Sequence, residues 1–197
     1  YNSKWKFGVP NGEIIKLTSS GSNSWFTEVP NKSTIENSQV VSPCFDFTGL
    51  SKPMIKLKVW SSSESKRDGA VIQYSIDKGN TWKNIGTKGE GINWFNSDNI
   101  ITNPAGQSGQ IEGWSQVPML KWTDARHNLD SLIDEQNVRF RVAYAKDATN
   151  SEKVDGFAFD DVWIGEREQK VLGEYFTNST IPASIVSNDY LKTYEAK

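Results

Sequence analysis

Four aspartates stand where turns and strand ends can aim hard oxygen ligands at a cation: Asp68 and Asp155 each precede a glycine, and Asp160 and Asp161 are neighbours. Calcium takes about six to eight oxygens, carboxylates prominent among them, so these four are the candidate calcium ligands. A carboxylate beside a glycine is also an ordinary turn former, bonding nearby N–H groups. Asp160 and Asp161 resemble a catalytic acid pair, yet neighbours on a regular strand point to opposite faces. The pattern therefore sends one toward a loop or an ion and the other toward solvent or a backbone amide. A glycosidase needs two carboxyl groups roughly 5 to 10 Å apart across a cleft, and the sequence assigns no pair that separation.

Other reactive groups are few. His127 is the single histidine, set between Arg126 and Asn128, and no G-x-S-x-G elbow supplies a nucleophile for it, so it reads as a surface or packing residue. Cys44 is the single cysteine; it excludes an intrachain disulfide and a Cys-rich zinc site, and its strand-like setting predicts a buried, inert thiol. Trp94, Phe95, Trp114 and Trp122 lie in a glycine-rich stretch. Exposed there, with Asn93, Asn96, Asp98 and Gln116 nearby, they would stack on sugar rings and form a ligand site. Buried, they would cap the core, the commoner state of large aromatic side chains.

Residues 75–82, Ser-Ile-Asp-Lys-Gly-Asn-Thr-Trp, fit the pattern S-x-D-x-G-x-T-W at every specified position. The chemistry is that of a tight turn. Ser75 and Asp77 bond backbone N–H groups, Gly79 takes a positive φ, and Trp82 packs beneath the hairpin, with Thr81 the motif's remaining specified residue.

Alternating segments must position these groups. Residues 54–60 set Ile55, Leu57 and Val59 against Lys56 and Lys58; residues 70–76 set Ala70, Ile72, Tyr74 and Ile76 on one face. Residues 138–144 oppose Val138, Phe140, Val142 and Tyr144 to Arg139 and Arg141, and residues 157–164 are apolar apart from the two aspartates. These read as half-buried antiparallel strands at the centre. Weaker strands are expected at 4–9, 14–18, 39–47 and 82–85, each bounded by Gly, Pro, Asn or Ser. The stretch 86–122 reads as long loops, and 126–136 as containing a helical turn. About eight short strands suit an all-β, antiparallel two-sheet β-sandwich of jelly-roll type, spanning residues 1–168. Residues 169–197 form a C-terminal tail or linker in which Pro182 opens a helix.

Composition agrees. Hydrophobic residues are 36% of the 197, but eight Trp, nine Phe and six Tyr suit a thin two-sheet core. A net charge of −2 and the lack of a Lys/Arg-rich run exclude a nucleic-acid partner, and apolar runs are too short to span a membrane. No signal peptide opens the chain, so the start at Tyr1 reads as that of a processed product. The sequons at Asn31 and Asn178 arise readily by chance in so Asn/Ser/Thr-rich a chain.

The motif at 75–82 is that of the Asp box, a hairpin turn that also occurs in sialidases. With it the chain resembles reelin-type and MAM-like jelly rolls and the cleaved-adhesin-type modules of bacterial secreted proteins, over most of residues 1–167. The residues that carry the likeness are Ser24-Trp25-Phe26, Val41-Ser42-Pro43 before Phe45-Asp46-Phe47, Asp68-Gly69, and Gly91-Ile92-Asn93-Trp94. Gly113-Trp114-Ser115, Trp122 with Leu129 downstream, Val138-Arg139-Phe140-Arg141 and the run from Gly156 to Val162 complete it. The resemblance implies a jelly roll, frequently holding structural calcium, secreted or at the cell surface beside peptidase, adhesin or anchoring domains, without catalytic residues of its own. MAM domains normally carry paired cysteines, so the bacterial modules are the closer analogy. Residues 171–178 look like the first strand of a thioredoxin-like domain, but Ser179 to Ala183 stand where its two cysteines would follow. That likeness implies a truncated, redox-dead start.

Three functions follow as expectations: a non-catalytic module binding a glycan or protein, or supporting adjoining domains; a glycosidase-like or peptidase-associated enzyme using the aspartates; or a structural spacer. Exposed Trp94 and Trp114 would favour the first, a facing acid pair in a cleft the second, and neither the third.

Overall fold

The computed structural model describes residues 4–28, 35–116, 121–149 and 154–167. The chain divides into two units, Tyr1–Arg167 and Glu168–Lys197. The helix expected from Pro182, the thioredoxin-like likeness and both sequons lie outside the described residues.

The described residues form nine strands: β1 (Trp5–Gly8), β2 (Ser24–Thr27), β3 (Glu36–Val41), β4 (Pro53–Ser62), β5 (Gly69–Ser75), β6 (Lys83–Asn84), β7 (Thr123–Asn128), β8 (Arg139–Lys146) and β9 (Gly156–Glu166). Two antiparallel sheets result, a five-stranded one in the order β1-β2-β9-β4-β7 and a four-stranded one in the order β3-β8-β5-β6. The pairs are nested: β2 with β9, β3 with β8, β4 with β7 and β5 with β6. Nested antiparallel pairs laid alternately in two facing sheets are the wiring of a jelly roll, here with β1 added at one edge.

Alternation explains the core. Ile55, Leu57 and Val59 of β4 face Ala70 and Ile72 of β5 and Phe140, Val142 and Tyr144 of β8, all buried. Each Ile, Leu, Val or Phe among them contributes about 1.5–3 kcal/mol relative to exposure. Trp5 packs edge-on against Phe159 at 5.4 Å, and Trp114 stacks on Phe157 at 5.6 Å. Aromatic area thus substitutes for aliphatic bulk.

Several elements differ from expectation. Residues 14–18 are not a strand. The N–H groups of Ile14 and Ile15 are met by a side chain instead, Ile15 donating to Asp155 Oδ2 at 2.7 Å, and just beyond, Ser19 donates to Asp160 Oδ2 at 3.0 Å. Residues 11–22 therefore lie as a strap, and Ile15 packs with Trp60 and Ala158. β3 spans Glu36–Val41 rather than 39–47, leaving Phe45 as a single bridge to Val138. The helical turn shrinks to a 3-10 turn at Asp130–Leu132, because residues 123–128 extend along β4 as β7. Ile76, expected inward, is exposed at the turn, and Cys44, expected buried, is exposed. Cys44 lies past the end of β3, where no ladder carries it into the core.

β9 also carries a bulge. Lys56 pairs with Trp163 and Lys58 with Asp160, so two residues of β9 stand opposite Leu57 alone. Asp161 takes φ 50° at this point.

Candidate functional site

The sharpest polar recess lies on the outer face of the four-stranded sheet, a cavity of 550 Å3 lined by Gln73, Trp82, Asn84, Gln107, Glu112 and Arg141 among others. Alternation along β5 and β8 sends Gln73 and Arg141 outward, opposite the core residues Ile72 and Val142, and the two stand in register. The 75–82 turn returns the chain to β6, which brings Asn84 beside Gln73. There Ser75 Oγ accepts from Gly79 N at 2.8 Å, Asp77 Oδ1 accepts from Thr81 N at 2.9 Å, and Gly79 adopts φ 95°. Trp82 is half-buried and donates Nε1–H to Gly79 O at 3.0 Å.

The far wall is the loop about the 3-10 turn Pro104–Gly106. Asn103 Nδ2 donates to Gln107 O at 3.0 Å and Gln107 N donates to Asn103 Oδ1 at 2.7 Å. Gln107 then mimics a strand neighbour of Glu112, donating Nε2–H to Glu112 O at 2.9 Å and accepting from Glu112 N at 3.0 Å.

Across the floor runs a relay of amides. Gln73 Nε2 donates to Asn84 Oδ1 at 2.7 Å, and Asn84 Nδ2 donates to Gln107 Oε1 at 2.6 Å. Arg141 donates from Nε and Nη2 to Gln73 Oε1 at 2.8 and 2.6 Å, and from Nη1 to Gln39 Oε1 at 2.8 Å. Its guanidinium lies 4.5 Å from the Trp82 ring centroid, a cation–π contact. Every amide orientation is fixed by its neighbours, so the recess presents a preset pattern of donors and acceptors.

The four aspartates do not converge. Asp68 is fully buried after β4 and accepts from Asp147 N at 3.2 Å. Asp155 accepts from Ile15 N at 2.7 Å and from Ile14 N, closing the strap. Asp160 and Asp161 do share a side, contrary to the strand rule: Asp160 Oδ2 accepts from Ser19 and Ser20 N, and Asp161 Oδ2 accepts from Ser19 Oγ at 3.0 Å. The bulge and the left-handed Asp161 turn that side chain outward beside Asp160. Among the described residues no group of three or more His, Cys, Asp or Glu is placed to hold a metal. Asp155 lines a recess of 230 Å3 shared with Asn11, Thr27 and Glu28.

The loop aromatics cap the core. Trp94, Phe95 and Trp114 are 3%, 1% and 2% exposed, and the Trp94 and Trp114 rings meet edge-on at 5.1 Å. Their N–H groups end on Ile85 O and Asn93 O. Trp122 is half-buried, donates to Leu17 O at 2.9 Å and meets Trp60 edge-on, so it braces the strap. His127 sits 5.0 Å from the Trp94 ring with Nε2 3.4 Å from Glu90, a packing residue.

No protein-family model matches the sequence, and no curated protein matches it. Among solved structures the chain is similar to the K1 cleaved adhesin domain of Lys-gingipain (Kgp) from Porphyromonas gingivalis W83. The TM-score is 0.44 and the identity 13%, over 85% of this chain and 86% of that one.

Among the described residues Glu112 is the one carboxylate lining the recess, and its Oε1 accepts from Lys88 N at 3.0 Å. A second carboxylate is needed for acid–base work on a glycosidic bond. Burial pulls the Arg141 guanidinium down from its usual value, with no nearby acid raising it. Gln73, Asn84, Gln107 and Arg141 escaped sequence reasoning as a group. The available signal was the outward phase of Gln73 and Arg141 on alternating strands; nothing local tied them to Gln107. A second, apolar recess of 500 Å3 opens between the sheets near Trp25, Phe45 and Trp163.

Proposed function

We propose that the chain is a non-catalytic binding module of a larger protein, exported or displayed at a cell surface, and that its ligand is a saccharide held in the polar recess of the four-stranded sheet. The observation that carries this reading is the relay Gln73–Asn84–Gln107, whose preset amides match the alternating donors and acceptors of sugar hydroxyls. The half-buried Trp82 at its margin supplies an apolar surface for a sugar ring's C–H groups. Titration of the chain with an oligosaccharide panel, followed by calorimetry and side-chain amide NMR, tests it. Asn84→Ala and Gln107→Ala should each weaken binding about tenfold, the effect of one or two lost hydrogen bonds. Binding untouched by both substitutions would defeat the reading. Burial of Trp94, Phe95 and Trp114 favours the spacer as the second reading, and it predicts no saccharide binding at all.

For calcium, expected at Asp68, Asp155, Asp160 and Asp161, we propose the recess of Asp155 as the place to look first. Asp155 Oδ2 is used by the strap, while Oδ1 makes no hydrogen bond among the described residues, and Asn11 and Glu28 bring further oxygens. Millimolar calcium should raise the melting temperature relative to chelator, by mass action on the folded state. The rise should vanish in Glu28→Gln, whose parent carboxylate, among the described residues, makes an exposed ion pair with Lys6 at 3.6 Å. Equal melting temperatures with calcium and chelator would remove the ion.

A further inference from the structure

Arg141 is a half-buried guanidinium whose partners are all neutral: the amide oxygens of Gln73 and Gln39, the carbonyl of Ala105 at 3.4 Å and the ring of Trp82. Among the described residues no carboxylate comes within 4.0 Å of it. Buried charges are ordinarily paired, because desolvating an ion without a counter-charge is costly. The surroundings do not supply the missing charge. Lys83 at the rim has the same sign, and Glu112 is held by Lys88 N on the opposite wall. Arg139, two residues along the same face of β8, also has no carboxylate within 4.0 Å among the described residues. This face is locally cationic on a chain of net charge −2.

A guanidinium carries five N–H donors in a planar fork. The contacts with Gln73, Gln39 and Ala105 use four of them, leaving one on Nη1, and the Ala105 contact on Nη2 is the longest. One donor, on Nη1, is therefore uncommitted, and a carboxylate that also displaced the long Ala105 contact from Nη2 would gain the two parallel hydrogen bonds of a fork. We infer that the saccharide this recess takes is an acidic one, whose carboxylate pairs with the Nη1–Nη2 edge of Arg141 while its hydroxyls meet the amide relay. This rests on the recess being the binding site.

The test titrates the chain with matched pairs, trigalacturonate against its methyl ester and sialyllactose against lactose, at low and high salt. In at least one pair the acid should bind at least about tenfold more tightly than its neutral partner, and the gap should narrow with salt. Arg141→Gln should abolish the gap, read as the ratio of acid to neutral affinity within each pair whatever the change in the neutral sugar's own binding, and Arg141→Lys should keep part of it. Comparing the melting temperatures of both variants with the parent separates unfolding from lost recognition. Equal binding of acid and ester, with both shifting the side-chain amides of Asn84 and Gln107, overturns the acidic preference and leaves the saccharide site standing. A preference that survives in Arg141→Gln overturns the assignment to Arg141, and absence of binding by every probe overturns both readings.

Discussion

Asp68 and Asp77 stand at opposite ends of the carboxylate range for opposite reasons. Burial pushes Asp68 up to about 6, while hydrogen bonds from Thr81 and then Ser75 hold Asp77 down at about 2. For Asp68 the folded state binds the proton more tightly than the unfolded chain. Its contribution is therefore fully present below the unfolded value of 3.8 and is lost as pH rises through about 6. Asp68→Asn should flatten the pH dependence of stability across that window, read by urea unfolding at closely spaced pH values; an unchanged slope would show that Asp68 titrates normally. Asp77 has the reverse sign. Its contribution is present above 3.8 and is lost as pH falls through about 2, so the 75–82 turn keeps its network throughout the neutral range.

At the scale of elements, the strap over residues 11–22 is held by acids rather than by a ladder. Asp155 takes the N–H groups at its start, Asp160 and Asp161 take Ser19 and Ser20 at its end, and Trp122 clamps Leu17 between them. Asp155→Ala would strand two backbone donors, at a cost of about 1–3 kcal/mol each for those that water cannot reach. Accelerated hydrogen exchange confined to Ile14 and Ile15 is the expected signature; global loss of protection would instead make the strap integral to the fold. Gly12→Ala should act alike, since a Cβ there would lie 2.2 Å from Asp155 Oδ2. The bulge in β9 is what lets two consecutive aspartates serve one loop, which a regular strand forbids.

For the whole molecule, aromatic residues divide into those that build the sandwich and those that meet the outside. Trp114→Ala removes a side chain 2% exposed and stacked on Phe157, and should cost about 3–5 kcal/mol in denaturant unfolding. Trp82→Ala should leave the core intact and weaken saccharide binding. The reverse pattern would move the site back to the loops. Strand periodicity determined most of the architecture: the alternations in 54–60, 70–76 and 138–144 are local, depend on near neighbours alone, and specify two sheets with one face buried. The eight-residue motif likewise specified its own turn, because Ser75, Asp77, Gly79 and Thr81 satisfy one another within it. Tertiary structure decided the rest. β7, with only Ala125 buried along it, exists because β4 offers a ladder. The strap replaces an expected strand because distant carboxylates take its donors. The recess joins β5, β6 and β8 to a loop whose Gln107 stands 23 residues from Asn84 in sequence, through Asn84 Nδ2 and Gln107 Oε1 at 2.6 Å. Side-chain periodicity records which face a residue takes, whereas the partner across that face is fixed only when the sheets close.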